Sequence, residues 1–505
     1  MLHIFNMDLE IGLSGVGWMA TFGLFFILSV CGLFSLILKS NTFALGLILT
    51  TAFTRVIFHL VGFPRAVPTL FTEVCVLLLL AKALYLQLIV HNRPLRAIGS
   101  LPMVGILTVA AFSCSYNQAE ILPAVFFVRQ IFIFYLFFIA LLNVNLSEKT
   151  ISTVNKLVIF LFLIQLPAAA VKLVLVGQWE GLGIGTVSWQ AGEFSTTLPL
   201  FATAFLLSFY FFRKDKKYLL LIAGFFFFGT AGKKRALALL IPVVSGVVWY
   251  LYGKREVFKK RLVLSASQMK YFLIICVIAF IGIFSSSRWL NDEMYGGGLD
   301  VRRVVDYIIW YNTRDDIALY GADDPDYAMG RVTITRLSLK ALKEGGPIQQ
   351  LIGFGPGAMI RSPHLGREDV AFEQFGFRGA VTGFVVFVLQ VGFLGVLFIT
   401  LFFLNLFKRT YILYQRSSNL DCKIVALGFL GATFLFLLDF FIYSQSTLYF
   451  GVLTPVYFYV AAIVFRSNHH DRNILDSTDS ECLSNKSLSG AHGRMQITLD
   501  LNVGG

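Results

Sequence analysis

The chain has 505 residues, 57% of them hydrophobic and only 14% charged, against roughly 25% charged in a soluble domain. That balance argues against a soluble enzyme and places the chain in the membrane class. Its formal charge of +13 comes from Lys and Arg gathered between apolar segments, as the positive-inside rule requires. No basic stripe with interleaved aromatics lies outside these flanks, so no nucleic-acid partner is expected.

A helix needs about 20 apolar residues to cross the bilayer core. The apolar segments predict spans at 15–38, 42–62, 69–91, 97–114, 121–142, 152–176, 194–212, 218–232, 236–252, 271–287, 381–407, 424–443 and 446–465. Asp8 and Glu10 stand where a basic region would open a cleavable secretory signal, so none is expected. One set of connections holds Lys39, Arg93, Arg96, Lys149, Arg213, Lys214, Lys216 and Lys217. Further along, the same set holds Lys254, Arg255, Lys259, Lys260, Arg261, Lys408, Arg409 and Arg416. These alternate as cytoplasmic loops must, which places the N-terminus outside and the C-terminus inside.

Residues 288–380 fall between two outward-facing helix ends and form the one large hydrophilic loop. With eleven Lys/Arg against thirteen Asp/Glu it lacks the basic excess of the inner loops. A loop of that length is functional or disordered, and its interior points to order. Apolar Ile334, Leu337, Ala341 and Leu342 predict a helix over 332–343 that Gly345, Gly346 and Pro347 end. The fold class is therefore all-α, a polytopic membrane protein of about 12–14 transmembrane helices with one large, partly helical periplasmic loop. Its parts are an N-terminal bundle (1–287), the loop (288–380), C-terminal transmembrane helices (381–465) and a polar, disordered cytoplasmic tail (466–505). The six cysteines contain no CxxC pair and predict neither a disulfide framework nor a zinc site.

An ionisable residue inside a span costs about 2.5–3.5 kcal/mol on insertion scales and is a functional candidate by default. Arg55 and His59 lie in the outer half of the second span, with Arg65 just beyond; Glu73, Arg129 and Lys172 lie in the outer parts of three others. For Arg129 the alternatives are a substrate contact and a buried ion pair, for example with Glu73. Lys233, Lys234 and Arg235 join two short spans on the outer side, against the positive-inside rule. Snorkelling or a hairpin that never crosses would explain them. So would a cationic site for an anionic substrate, since the Arg fork matches a phosphate.

The loop carries Gly330 and Arg331 at a helix start, then a turn with Gly353, Gly355 and Gly357, then Arg361, His364 and Arg367; the next span carries Gly392 and Gly395. The glycine turn permits close backbone approach and lacks the spacing of a dinucleotide fingerprint. This order resembles the O-antigen ligase and O-antigen polymerase superfamily of bacterial membrane glycosyltransferases. There a loop arginine follows a glycine, a glycine-rich turn closes the segment, and a Gly-x-x-Gly helix follows. The segment from Gly229 through Arg235 to Leu237 is similar to that family's Ser/Gly-x-Arg-x-Ala-Leu segment. The resemblance covers roughly residues 220–400. The positions of the ligase His-Asn pair hold Val381 and Thr382, which favours the polymerase branch.

The resemblance implies a substrate held on undecaprenyl pyrophosphate, in contact with membrane lipid, with flippase and chain-length regulator proteins as partners. It implies no cofactor and no metal. Arg331, Arg235 and His364 would be catalytic, His364 as the base, with Asp323, Asp324, Asp326 and Glu368 as weaker alternatives. Lys233, Lys234, Arg129, Arg55, Arg336 and Arg361 would hold the diphosphate. A ligase and a transporter or flippase remain the alternative readings. A cysteine placed at Gly232 is expected to react with an impermeant thiol reagent from the periplasm; protection there would put the hairpin on the other side.

Overall fold

The computed structural model describes residues 41–54, 66–176, 185–187, 194–231, 235–259, 309–310, 312–314, 329–360, 370–379, 381–444 and 452–466. About 84% of it is helical, with no strands among the described residues. Among the described residues of the first half there are nine helices: α1 (Thr42–Phe53), α2 (Ala66–Leu84), α3 (Ser100–Tyr116), α4 (Ile121–Asn143), α5 (Glu148–Leu163), α6 (Gln165–Val176), α7 (Phe194–Arg213), α8 (Lys217–Ala231) and α9 (Arg235–Lys259). The loop supplies α10 (Arg331–Gly345), α11 (Pro347–Ile352) and α12 (Val370–Phe375). Then come α13 (Gly383–Arg416), α14 (Leu420–Leu438) and α15 (Leu453–Arg466). π-Helical turns extend α2 over Tyr85–Val90 and α14 over Asp439–Tyr443.

Among the described residues, six helical stretches are long and apolar enough to cross a membrane, and five shorter apolar helices accompany them. The chain is a helical membrane protein. The expected spans 15–38 and 271–287 lie outside the described residues. The helix expected over 332–343 is α10, and Gly346 ends it at φ 96°. Pro347 then opens α11, where its missing N–H costs no intrahelical bond.

Lipid tails are as apolar as leucine, so packing, small residues and interhelical hydrogen bonds select which helix faces meet. α7 packs on α8, α9 and α14, and α13 packs on α3 and α14. Gly428 of α14 lies under the Phe205 ring, and Gly431 against Val248 and Ala204. An aromatic seam joins α13, α14 and α15: Tyr457 stacks on Phe436 at 4.2 Å and meets Phe403 at 6.0 Å. Its hydroxyl lies 3.0 Å from that of Thr433, so the buried phenol has a partner. In its most apolar stretch α7 is 83% buried, whereas the α5–α6 stretch is 17% buried. α7 is therefore central, and α5–α6 turns its side chains outward.

The two ends of the bundle differ in chemistry. At one end Arg213 pairs with Asp421 at 2.9 Å, linking α7 to α14. There too Arg466 donates to the carbonyls of Leu141 and Val144, satisfying carbonyls that the end of α4 leaves open. Asn143 holds the 91–99 connection by bonding both the N–H and the carbonyl of Arg96. The described loop residues sit at the opposite end, where two of the following bonds join loop segments to one another and the third fastens the loop to α13. Met329 N–H donates to Arg378 (2.8 Å), Gly330 N–H to Arg314 (3.1 Å) and Phe354 N–H to Leu389 (2.7 Å).

That last bond explains a departure from the single span expected over 381–407. α13 leaves helical geometry at Val391 (φ −130°, ψ 15°) and Gly392 (φ 64°, ψ −170°). The glycine turn fills the gap. A Cβ on Gly353 would sit 2.6 Å from the Gln390 carbonyl carbon and 2.7 Å from Gly392 N. A Cβ on Gly392 would meet the backbone of Leu351 and Ile352. Gly392→Ala is expected to lower stability by about 2–4 kcal/mol, combining left-handed strain with overpacking. Gly253→Ala, in open space on α9, should raise it by about 0.5–1 kcal/mol. Thermal unfolding of both variants in one detergent checks the pair.

Candidate functional site

Arg331 is the first residue of α10. Gly330 precedes it in extended conformation (φ −71°, ψ 153°), and its carbonyl accepts the first helical bond from Ile334 N–H at 2.9 Å. A Cβ at Gly330 would collide with the backbone of Asn312, so the segment 309–314 lies directly against the helix start. Thr333 Oγ1 donates to the Thr313 carbonyl at 2.9 Å and secures that contact.

The Arg331 guanidinium carbon stands 5.0 Å from the centroid of the Tyr443 ring, and its Nε is buried. Tyr443 closes the π-turn after α14, and its hydroxyl shares a 2.8 Å hydrogen bond with Thr196 Oγ1 in the first turn of α7. Ser195, Thr196 and Thr197 are all buried. A Cβ on Gly229, in the last turn of α8, would lie 3.1 Å from the Ser195 carbonyl oxygen. One end of the bundle thus gathers the starts of α7 and α10 and the ends of α14 and α8.

This arrangement brings the loop arginine next to the elements that carry the cationic hairpin. Arg235 opens α9, but its side chain, like Lys233 and Lys234, lies outside the described residues. So do Arg55, His59, Arg65, Asp323, Asp324, Asp326, Arg361, His364, Arg367 and Glu368. Arg336 is described and exposed. Five residues after Arg331, it lies roughly 140° around α10 from it, on a different face.

Arg129 sits in α4 and pairs with Glu73 of α2, Nε to Oε1 at 3.3 Å. The contact is ionic rather than an aligned hydrogen bond, because Nε does not meet hydrogen-bond geometry there. The guanidinium also lies 5.1 Å from the Phe126 ring centroid. Two turns above, a Cβ on Gly357 would press on Pro123 and Ala124, so the glycine turn and this pair share one end of α4. Lys172 is half-buried on α6.

Three groups at the site were not among the sequence candidates. Tyr443 and Thr196 carry no sequence signal, since a Tyr or Thr in an apolar run is ordinary. Asp439 does: it is an ionisable residue inside the predicted span 424–443, and it is 1% exposed, one turn before Tyr443. Applying the cost of intramembrane charge to that span selects it.

Chemically, the site offers a guanidinium with one face on an aromatic ring. Stacking engages the face of the guanidinium, and the paired N–H donors of an arginine edge match a phosphate or carboxylate. Compared with known proteins, the chain matches no family model and no curated protein.

Glu73→Ala leaves Arg129 uncompensated and is expected to destabilise the protein by about 1–3 kcal/mol, below the roughly 3–5 of a sealed pair. The reduction reflects the 34% exposure of the Arg129 side chain. The Glu73→Ala/Arg129→Ala double variant should recover most of the loss in thermal unfolding if the pair is structural.

Proposed function

We propose that this chain joins oligosaccharide repeat units carried on undecaprenyl pyrophosphate into O-antigen, capsule or exopolysaccharide. The reaction takes place at the periplasmic face of a bacterial inner membrane. The observation that carries this reading is the contact of Arg331 with Tyr443, whose hydroxyl bonds Thr196 at the α7 start, beside Gly229 near the end of α8. They meet at the end of the bundle away from the basic connections. The positive-inside rule puts those connections in the cytoplasm, so the site faces the periplasm and the C-terminal tail the cytoplasm.

In the proposed reaction an acceptor hydroxyl oxygen attacks the anomeric carbon. The bond from that carbon to the diphosphate oxygen breaks, and its electron pair leaves with the lipid diphosphate. The acceptor proton passes to a base, for which His364 is the proposed group. Charge grows on the diphosphate, so fixed cations in a low-dielectric site stabilise the transition state more than the ground state. Arg331, Arg235, Lys233 and Lys234 take that role, and Arg129 and Arg55 line the lipid path beneath. The motif order from Gly229 to Gly395 supports the assignment, and Val381 and Thr382 favour a polymerase over a ligase.

One observation favours a second reading, a transporter. Discontinuous helices are a transporter device, and α13 is broken at Val391 and Gly392. The chain's own turn fills the break, however. Phe354 N–H bonds the Leu389 carbonyl, Gly357 N–H bonds Gln390 Oε1 at 2.7 Å, and Ser113 Oγ reaches the Gln390 carbonyl at 3.5 Å. No second broken helix mirrors it among the described residues.

Arg331→Ala is expected to insert normally into the membrane and to lose long polysaccharide, with the rate falling about 10²–10³-fold, as for loss of one preorganised donor. A gel of surface glycans reads the outcome. In a deletion strain, loss of the ladder with one repeat retained indicates a polymerase, and accumulated lipid-linked polymer a ligase. An unchanged profile, or normal polymer length in the Arg331 variant, would sink the proposal.

A further inference from the structure

We propose that Tyr443 is a positioning residue: an aromatic platform, aimed by Thr196, that sets the plane of the Arg331 guanidinium toward the diphosphate. The proposal rests on reading Arg331 as a diphosphate-binding group.

The platform belongs to the bundle, whereas the arginine arrives from the loop. Three bonds fix the end of α14 before Arg331 reaches it. Ser444 N–H donates to the Asp439 carbonyl at 2.9 Å, closing the π-turn. The Ser444 carbonyl accepts Gly383 N–H at 3.1 Å, tying the turn to the start of α13. The Tyr443 hydroxyl meets Thr196 at 2.8 Å, tying it to α7. Phe440 packs on Phe387 at 5.4 Å and Phe441 on Phe384 at 6.0 Å, which holds the flanking rings against α13.

The π-turn is what aims the ring. A five-residue step inserts one extra residue into the turn, so later side chains rotate by roughly 100° from their α-helical register. That rotation presents Tyr443 to Thr196 and Arg331. An arginine side chain carries about 2 kcal/mol of rotamer entropy, so an unsupported guanidinium samples many planes. Contact with a fixed ring at 5.0 Å removes much of that freedom and leaves the donor edge aimed. A Tyr near the end of a span also fits an interfacial belt, in which case its contact with Arg331 would be incidental.

The two alternatives separate by measuring how inorganic pyrophosphate binds the purified full-length chain in detergent. Tyr443→Leu should weaken binding about tenfold, in keeping with loss of a largely desolvated cation–π contact. Tyr443→Trp keeps a ring, and Tyr443→Phe keeps the ring without its anchor; both should stay within about threefold of the parent. Thr196→Val, which retains the ring and removes only its partner, should match Tyr443→Phe. In an Arg331→Ala background, Tyr443→Leu should change binding less than about twofold, because a platform acts only through its arginine.

Parent-like binding by Tyr443→Leu would overturn the platform, as would an equal loss on both backgrounds. If Tyr443→Leu fails to fold, Tyr443→Met, which also lacks a ring, decides, and parent-like binding there overturns the proposal. Undiminished binding by Arg331→Ala, or none by the parent, would instead remove the diphosphate role of Arg331 and the platform with it.

Discussion

Backbone polar groups at membrane depth have no water to turn to, and each one left unmet costs several kcal/mol. This is the constraint on which the loop-bearing end of the structure depends. α13 breaks at Val391 and Gly392 and frees the carbonyls of Leu389 and Gln390. The break is tolerable because a turn from the loop supplies donors to that point. Phe354 N–H takes the Leu389 carbonyl, and Ser113 Oγ reaches that of Gln390. The Gln390 side chain then bridges its own helix at Val386 and the turn at Gly357. Asn117 completes the lock from α3 by donating to the Gly353 carbonyl at 3.1 Å.

Close approach on this scale admits no side chain. Gly353 and Gly392 both have positive φ, and a Cβ on Gly353 would enter the backbone of Gln390 and Gly392 while one on Gly392 would enter that of Leu351 and Ile352. Gly355 and Gly357, also at positive φ, bring the turn against Ala119 and Pro123. The hydrophilic loop is thereby anchored inside the bundle. Because α11 runs directly into the turn and α10 directly into α11, anchoring at Gly353 constrains the far end of α10. The bonds from Met329 and Gly330 hold its beginning. Arg331 is consequently held from both directions, and the ring of Tyr443 receives its guanidinium.

The two arginines of this end divide along the same lines. Arg129 is compensated by Glu73 within the bundle, so its charge is accounted for without a ligand. Arg331 is backed by an aromatic face, and its guanidinium is the chemically distinctive group of this end.

Several features were legible in the sequence because the forces behind them are local. A span needs only its own apolar length, so hydropathy located helices such as α4 and α7 to within a residue or two. The helix after Gly330 followed from apolar spacing, and its end from Gly346. The glycine run announced a close backbone approach, because no other residue type permits positive φ so freely. The Glu73 partner of Arg129 stood among the readings, since a buried charge demands an opposite one nearby. What the glycines approach was not legible. Neither was the break in α13, because Gln390 to Gly395 reads as an ordinary apolar helix and only the incoming turn makes its interruption affordable. The Thr196–Tyr443 bond joins residues 247 apart, and Arg331 reaches Tyr443 across more than a hundred residues of chain. Hydropathy ranks residues by their affinity for lipid and carries no information on which helix faces meet. Tertiary packing made that choice, and with it the surroundings of Arg331.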